Sequence, residues 1–431
     1  MNMEDDEGHD GFAAEKTVTP ALLALHPFSK FVVVSVGSQL RVFNLLEKCA
    51  VDSEDINSQS CHVDAIKTIT FSKDGGLFAS AGDDKHVKLW DTDTWRCLRT
   101  VVATKKISAS SFSSDGKWLL YADKFGVVYA ISTEYVKDPL AGPADPGQPV
   151  SLLAHCCSII TSLKCSADGR YIITADRDFK IRISIFPKNP LMGAHEIEGF
   201  CLGHTSFVSC VAVVNNNLTS QFLVSGGGDG TVRLWEVETA TLLDTVDVYE
   251  KITIANSDVD NTAVQLPAIT CIAVSNNASL VAVGLESLDG VIILGLDIKS
   301  KRLRFLQKFL LEDHYCPTSI QFDRNGWLWL VAGAAQRTEA GEEKATSWVK
   351  VVSISSGDAI LLESIDPASL PGGTLLLEAL DGTDSDVKKA LALADAANMA
   401  VKEQLSKKKY TNEHRELRKR LRNDKKLQKG M

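Results

Sequence analysis

Ser225-Gly-Gly-Gly-Asp-Gly-Thr-Val-Arg-Leu-Trp235 decides the fold of this chain, because the same ending occurs at Ser80-Ala-Gly-Asp-Asp-Lys-His-Val-Lys-Leu-Trp90. In both, an Asp stands six residues before the closing Trp, and apolar and basic side chains alternate between them. That alternation is the period of a strand with one buried face. A third copy, Thr174-Ala-Asp-Arg-Asp-Phe-Lys-Ile-Arg-Ile-Ser184, keeps the six-residue spacing from Asp178 to its last position but ends on Ser and carries more charge. One repeat has been altered for a purpose beyond folding.

Working outward, turn signals recur at Phe71-Ser-Lys-Asp-Gly75, Phe112-Ser-Ser-Asp-Gly116 and Cys165-Ser-Ala-Asp-Gly169, with 41 and then 53 residues between successive Asp positions. Weaker echoes stand at Val274-Ser-Asn-Asn277 and Phe322-Asp-Arg-Asn-Gly326. Each Gly supplies the positive φ of a tight hairpin. A period of this size is the signature of a β-propeller, and blades are expected to begin near Leu22, Ala65, Ile107, Ile159, Phe207, Ile269 and Thr318, which makes seven. The fold class is therefore all-β, a seven-bladed propeller over 17–382, preceded by an acidic segment at 1–16 and followed over 383–431 by a helical and then basic tail. A strand near Thr17 to Leu25 is expected to complete the last blade and so close the ring. Lys137 to Gly147 and Asp247 to Gln265 read as loops, and Val387 to Leu405, rich in Ala, Leu and Lys, reads as a helix.

Composition narrows the function classes. The N-terminus, Met1-Asn-Met-Glu-Asp-Asp-Glu, is acidic where a secretory signal is basic and then apolar, and no apolar run reaches the length of a membrane helix. A soluble protein of the cytosol or nucleus is expected, with no membrane partner. The ten cysteines include no C-x-x-C pair and read as reduced thiols, and no metal site is expected. The net charge of −9 hides an asymmetry: Lys402 to Lys429 holds twelve Lys or Arg against four Asp or Glu, a local +8 that leaves −17 on the rest. Lys407, Lys408 and Lys409 head that run, which either meets RNA phosphates or directs nuclear import.

His204, Ser225, Asp229 and Trp235 occupy the polar positions by which such blades lock strand to turn, so this His and Asp read as struts and not as a catalytic relay. Gly226-Gly-Gly-Asp-Gly230 has the composition of a nucleotide-binding loop, but Thr231-Val-Arg-Leu-Trp235 follows as a strand where such a loop opens a helix. With no Gly-x-Ser-x-Gly elbow, His-Glu-x-x-His or P-loop in the chain, no catalytic residue is assigned and no cofactor is expected on it. The run Asp176-Arg-Asp-Phe-Lys-Ile-Arg182 is different. If Ile181 and Ile183 enter the blade, the Arg182 guanidinium projects from the opposite side near a rim, and an acidic partner is the natural ligand for its planar fork.

The run Tyr171-Ile-Ile-Thr-Ala-Asp-Arg-Asp-Phe-Lys-Ile-Arg-Ile-Ser184, followed by Phe200-Cys-Leu-Gly-His-Thr-Ser-Phe-Val-Ser209, resembles the non-catalytic WD-repeat subunit of the tRNA (guanine-N7)-methyltransferase. Tyr121-Ala-Asp-Lys-Phe-Gly-Val-Val-Tyr129 is similar to that family's preceding blade. The resemblance implies a scaffold in a heterodimer: a separate catalytic subunit binds S-adenosylmethionine and methylates N7 of a guanine in the variable loop of tRNA. It further implies that Arg182, with Lys180, Asp178 and Arg177 around it, meets the catalytic partner, and that Lys124 lies toward the tRNA. Val127 and Phe179 stand where the family usually has acidic residues. A WD adaptor of another class, such as a ubiquitin-ligase substrate receptor or a chromatin scaffold, is the alternative reading. The Trp-Asp-x-Arg box of such receptors is not met at Trp90-Asp-Thr-Asp93. A nuclear location is expected.

Overall fold

The computed structural model describes residues 18–57, 61–134, 148–155, 158–214, 221–253, 266–286, 288–311, 315–337, 343–356, 360–381 and 387–406. Seven antiparallel sheets form seven blades, six of them four-stranded, with innermost strands beginning at Leu22, Ile66, Ile107, Ile160, Val208, Ile269 and Ser319. The hairpins between first and second strands share a mechanism. In blade two, Ser72 Oγ donates to Asp74 Oδ1 at 2.6 Å and accepts the Leu77 amide at 2.9 Å, while Gly75 takes φ +72°. Blades three, four and six repeat the device with Ser113, Ser166 and Ser275.

The N-terminal stretch expected as one closing strand is divided. Val18–Pro20 pairs with Ala334 to Gln336 of blade seven, whereas Leu22–Leu25 opens blade one. Ser319–Phe322 pairs further along the same long strand, Leu328–Arg337, so two short segments share the innermost position of the last blade. The ring is thus closed by backbone hydrogen bonds between Val18–Pro20 and the last blade, which covers the strand edge at that junction.

Helix formation begins earlier than residue 383. The last strand, Ile360–Ser364, leads through a 3-10 turn into a helix at Thr374–Asp381. Short helices also occur at Glu54–Asn57 and at Val248–Thr253, the latter inside the stretch read as a loop; residues 254–265 and 135–147 lie outside the described residues. We call these helices α1 (Glu54–Asn57), α2 (Val248–Thr253) and α3 (Thr374–Asp381), and the final one α4 (Val387–Leu405). Leu376 and Leu380 of α3, both fully buried, fill the seam between blades seven and one with Phe43, Trp329 and Val351. Arg41 reaches across that seam to Ser347 Oγ and the Leu380 carbonyl.

α4 has the predicted bounds but is no free tail. Its Leu391 and Ala394 enter the core of blades six and seven with Tyr315 and Leu330. Asn398 donates to the Pro317 carbonyl at 3.4 Å, and Lys402 pairs with Glu286 at 2.5 Å. Its last turn, with Val401 and Leu405, packs on Phe207 and Ala268. The helix therefore lies across one mouth of the central channel, over a cavity of about 250 Å³ lined also by Lys67, Lys106 and Lys124.

Leu391→Asp is expected to cost about 3 kcal/mol or more, because it strands an uncompensated carboxylate in a packed core. Urea denaturation reads this directly; an unchanged midpoint would mean that α4 is not held to the blades.

Candidate functional site

Among the described residues, two blades carry the full polar lock. In blade five, His204 Nδ1 lies 3.0 Å from Asp229 Oδ2 and Nε2 lies 2.8 Å from Ser225 Oγ, which also accepts from Trp235 Nε1 at 2.8 Å. His62, Asp84, Ser80 and Trp90 repeat this in blade two at 2.7, 2.8 and 2.9 Å. A neutral ring protonated on Nδ1 satisfies every member, so the four groups the sequence singled out in blade five are brought together as a strut. Burial pushes the Asp229 carboxyl up, but hydrogen bonds from His204, Thr205 and Thr231 outweigh it and hold the group at about 2.

Blade four differs in two places. Its histidine is His155, which the sequence reading missed, bonded to Asp176 at 2.9 Å and to Thr174 Oγ1 at 2.8 Å. Spacing aligned Asp178 with Asp84 and Asp229, yet the carboxylate that reaches the ring is Asp176, two residues earlier at the end of the strand Tyr171–Asp176. Asp176 also accepts the amides of Asp178 and Lys180 and so shapes the turn by itself. The signal in the sequence is a His about five residues ahead of a strand, which is weak because the recognisable part of the repeat lies at its other end.

The second difference is Ser184, fully buried where blades two and five bury Trp90 and Trp235. Strand Lys180–Ile185 turns Ile181 and Ile183 toward blade five, into a cluster with Val208, Leu223 and Trp235. The opposite side, facing blade three, carries Lys180, Arg182 and Ser184, as alternation requires. Arg182 does not project freely: Nε donates to Ser184 Oγ at 2.9 Å and Nη1 to the Ala154 carbonyl at 3.2 Å. Burial lowers its pKa, but a guanidinium stays charged. Across the ladder, Arg182 sits opposite Phe200 and Lys180 opposite Leu202 on the outer strand Ile197–Leu202. Directly opposed residues share a face, so the two cations are flanked by Phe200, 44% exposed, and Leu202, 64% exposed. Nothing in the sequence pattern marks either as a site residue.

The remaining candidates cluster at the adjoining turns. Arg177, Asp178 and Phe179 form the turn of blade four, where Phe179 takes φ +71° and packs beside Phe207 and the end of α4. Positive φ is costly for a bulky residue and persists where surrounding contacts hold it. Lys124 stands exposed in the corresponding turn of blade three, whose Gly126 carbonyl accepts the His155 amide at 2.8 Å. The Lys124 turn and the Arg182 guanidinium are thus tied to one short segment, Ala154 and His155. Lys407, Lys408 and Lys409 lie outside the described residues. Among the described residues, no group of three or more His, Cys, Asp or Glu is arranged to hold a metal, and no helix is long and apolar enough to cross a membrane.

Fold and site together define a WD-repeat propeller whose histidines and aspartates brace blades and whose fourth blade presents cations beside exposed apolar side chains. The profile of the tRNA methyltransferase TRM82 WD40 domain matches residues 147–347, and that of the WD domain, G-beta repeat, matches 53–91. The non-catalytic subunit wdr4 of tRNA (guanine-N(7)-)-methyltransferase from Xenopus laevis is 32% identical over 74% of this chain and 76% of its own length. The Homo sapiens subunit WDR4 is 29% identical over 84% and 86%. Among solved structures, the RRP9 WD40 repeats superpose with a TM-score of 0.58 at 18% identity, over 74% of this chain and 88% of that one, a likeness of fold. The chain belongs to the family of non-catalytic WD-repeat subunits of tRNA (guanine-N(7)-)-methyltransferase. It is a regulatory or structural subunit and not itself an enzyme.

Because Asp229 lies below its ordinary 3.8 in the folded protein, its contribution to stability is complete above about pH 4 and is lost as pH falls toward 2. Asp229→Asn is expected to cost about 1 to 3 kcal/mol at neutral pH, with the gap to the parent closing on acidification. Urea midpoints from pH 7 down to 2.5 test this; a constant gap would refute it.

Proposed function

We propose that this chain forms a heterodimer with the catalytic methyltransferase subunit through the outer part of blade four, and helps position tRNA for N7-methylation of a variable-loop guanine. What carries the reading is the Arg182 and Lys180 pair framed by exposed Phe200 and Leu202. Apolar and aromatic anchors around a partly desolvated Arg are the anatomy of an interface hot spot. An acidic side chain on the partner completes it, met by the guanidinium in a charge-assisted bond. Arg177 and Asp178 edge the same surface from the turn above.

S-adenosylmethionine belongs on the catalytic partner, where it supplies the electrophilic methyl group. Guanine N7 already carries a lone pair, so the reaction demands placement more than a strong base, and a rigid scaffold raises activity by ordering its partner. Lys124 serves the RNA side: its turn shares the Ala154 and His155 segment with Arg182, which sets tRNA contact and partner contact in one frame. The basic run from Lys407 onward adds diffuse phosphate contact and fits a nuclear protein.

Arg182→Glu is expected to leave the propeller folded and weaken capture of the purified catalytic subunit by at least about a hundredfold, since reversing a desolvated interface charge costs more than deleting it. Phe200→Glu acts in the same direction. Calorimetric titration measures both, and unchanged affinity of folded Arg182→Glu would overturn the assignment. Separately, removing 407–431 should flatten the salt dependence of tRNA binding by the complex; an unaltered slope would assign the tail to another task.

A further inference from the structure

The position that aligns with Arg182 in blade five is Arg233, since Thr174 and Ser225 are their respective partners across the ladder. The two arginines turn opposite ways. Arg233 Nε donates to Thr231 Oγ1, two residues before it, at 3.1 Å, and Nη2 reaches to 4.0 Å from Asp229. It has no room on the other side, where the Trp235 indole fills the space two residues on; the site of a Cβ at Gly203 would lie 2.7 Å from Arg233 Nη1 and 3.0 Å from the Trp235 ring. Arg182 instead leans toward residue 184, into the place that an indole occupies in blades two and five, and bonds the hydroxyl found there.

We propose that Ser184 is a positioning residue for assembly with the catalytic subunit: exchanging the blade's Trp for Ser vacates the space and supplies the acceptor that sets the Arg182 guanidinium toward the partner. The inference rests on the assignment of Arg182 to that interface. With Nε held by Ser184 and Nη1 by the Ala154 carbonyl, the planar group is fixed in orientation. Among the described residues, Nη2 has no hydrogen-bond partner and remains available to an incoming carboxylate. A long cationic side chain ordinarily loses rotamer freedom on binding, and a fork already fixed by two bonds loses less. The exchange removes Trp Nε1 as a donor to the lock, and Thr174 meets His155 directly without it, so blade four keeps its strut while its outer surface gains a set cation.

The test compares Ser184→Trp, Ser184→Ala, Ser184→Thr and Arg182→Glu in the full chain, reading thermal midpoint and affinity for the purified catalytic subunit. Ser184→Trp should refill the indole site, hold or raise the thermal midpoint, and weaken affinity by about tenfold or more as Arg182 is turned away. Ser184→Ala should weaken affinity by about three- to tenfold at unchanged thermal midpoint, and Ser184→Thr should restore it. A purely structural Ser would move midpoint and affinity together. If folded Ser184→Trp and Ser184→Ala both bind like the parent while Arg182→Glu does not, the positioning role is overturned and the interface stands. If Arg182→Glu also binds normally, the interface itself is wrong. Should Ser184→Trp fail to fold, Ser184→Ala decides: parental affinity overturns the proposal.

Discussion

A four-stranded blade has two apolar faces and covers neither by itself, so everything in this molecule depends on each face being packed against a neighbouring blade and on the ring having no gap. Closure is where that constraint is hardest to meet, because the first and last blades are joined by no hairpin. Val18–Pro20 meets it with backbone hydrogen bonds to the strand Leu328–Arg337, and Leu376 and Leu380 of α3 fill the wedge that remains. Two segments more than 350 residues apart in the sequence, Val18–Pro20 and α3, are thereby built into one junction.

Once the seams are obligatory, a change in one seam can be used for binding without endangering the rest. Between blades one and two the packing is aromatic, with Trp90 beside Phe31 and Phe78, and between blades four and five it is Trp235 against Ile173 and Ile183. Between blades three and four the indole is missing, Leu120, Val128 and Ile172 supply the apolar contact, and an arginine occupies the polar outer part. His155, Thr174 and Asp176 keep the blade locked. The buried cost of a cation there is limited by two hydrogen bonds and by its position at the outer edge of the seam.

α4 acts at a different level. By running over the channel mouth and ending beside Phe207 and Phe179, it brings the origin of the basic tail to the face that carries Lys124 and the turn of blade four. Cationic groups far apart in the sequence share one side of the disc through this packing.

Blade number, blade starts and the extent of α4 were legible in the sequence because hairpin chemistry and strand alternation are local: a Ser, an Asp and a Gly within four residues make their turn wherever they occur. The lock of blade five was legible for the same reason. Asp178 does stand at the ladder position of Asp84 and Asp229, but His155 is met by Asp176 instead, and counting residues cannot tell which of two nearby carboxylates reaches a histidine twenty residues upstream. The division of the closing strand, the docking of α4, the exposure of Phe200 and Leu202 beside the cations, and the turn of Arg182 into the space above Ser184 were decided by tertiary structure. Each of these depends on what a neighbouring blade leaves empty or fills, and that is set by distance in space and not by spacing along the chain.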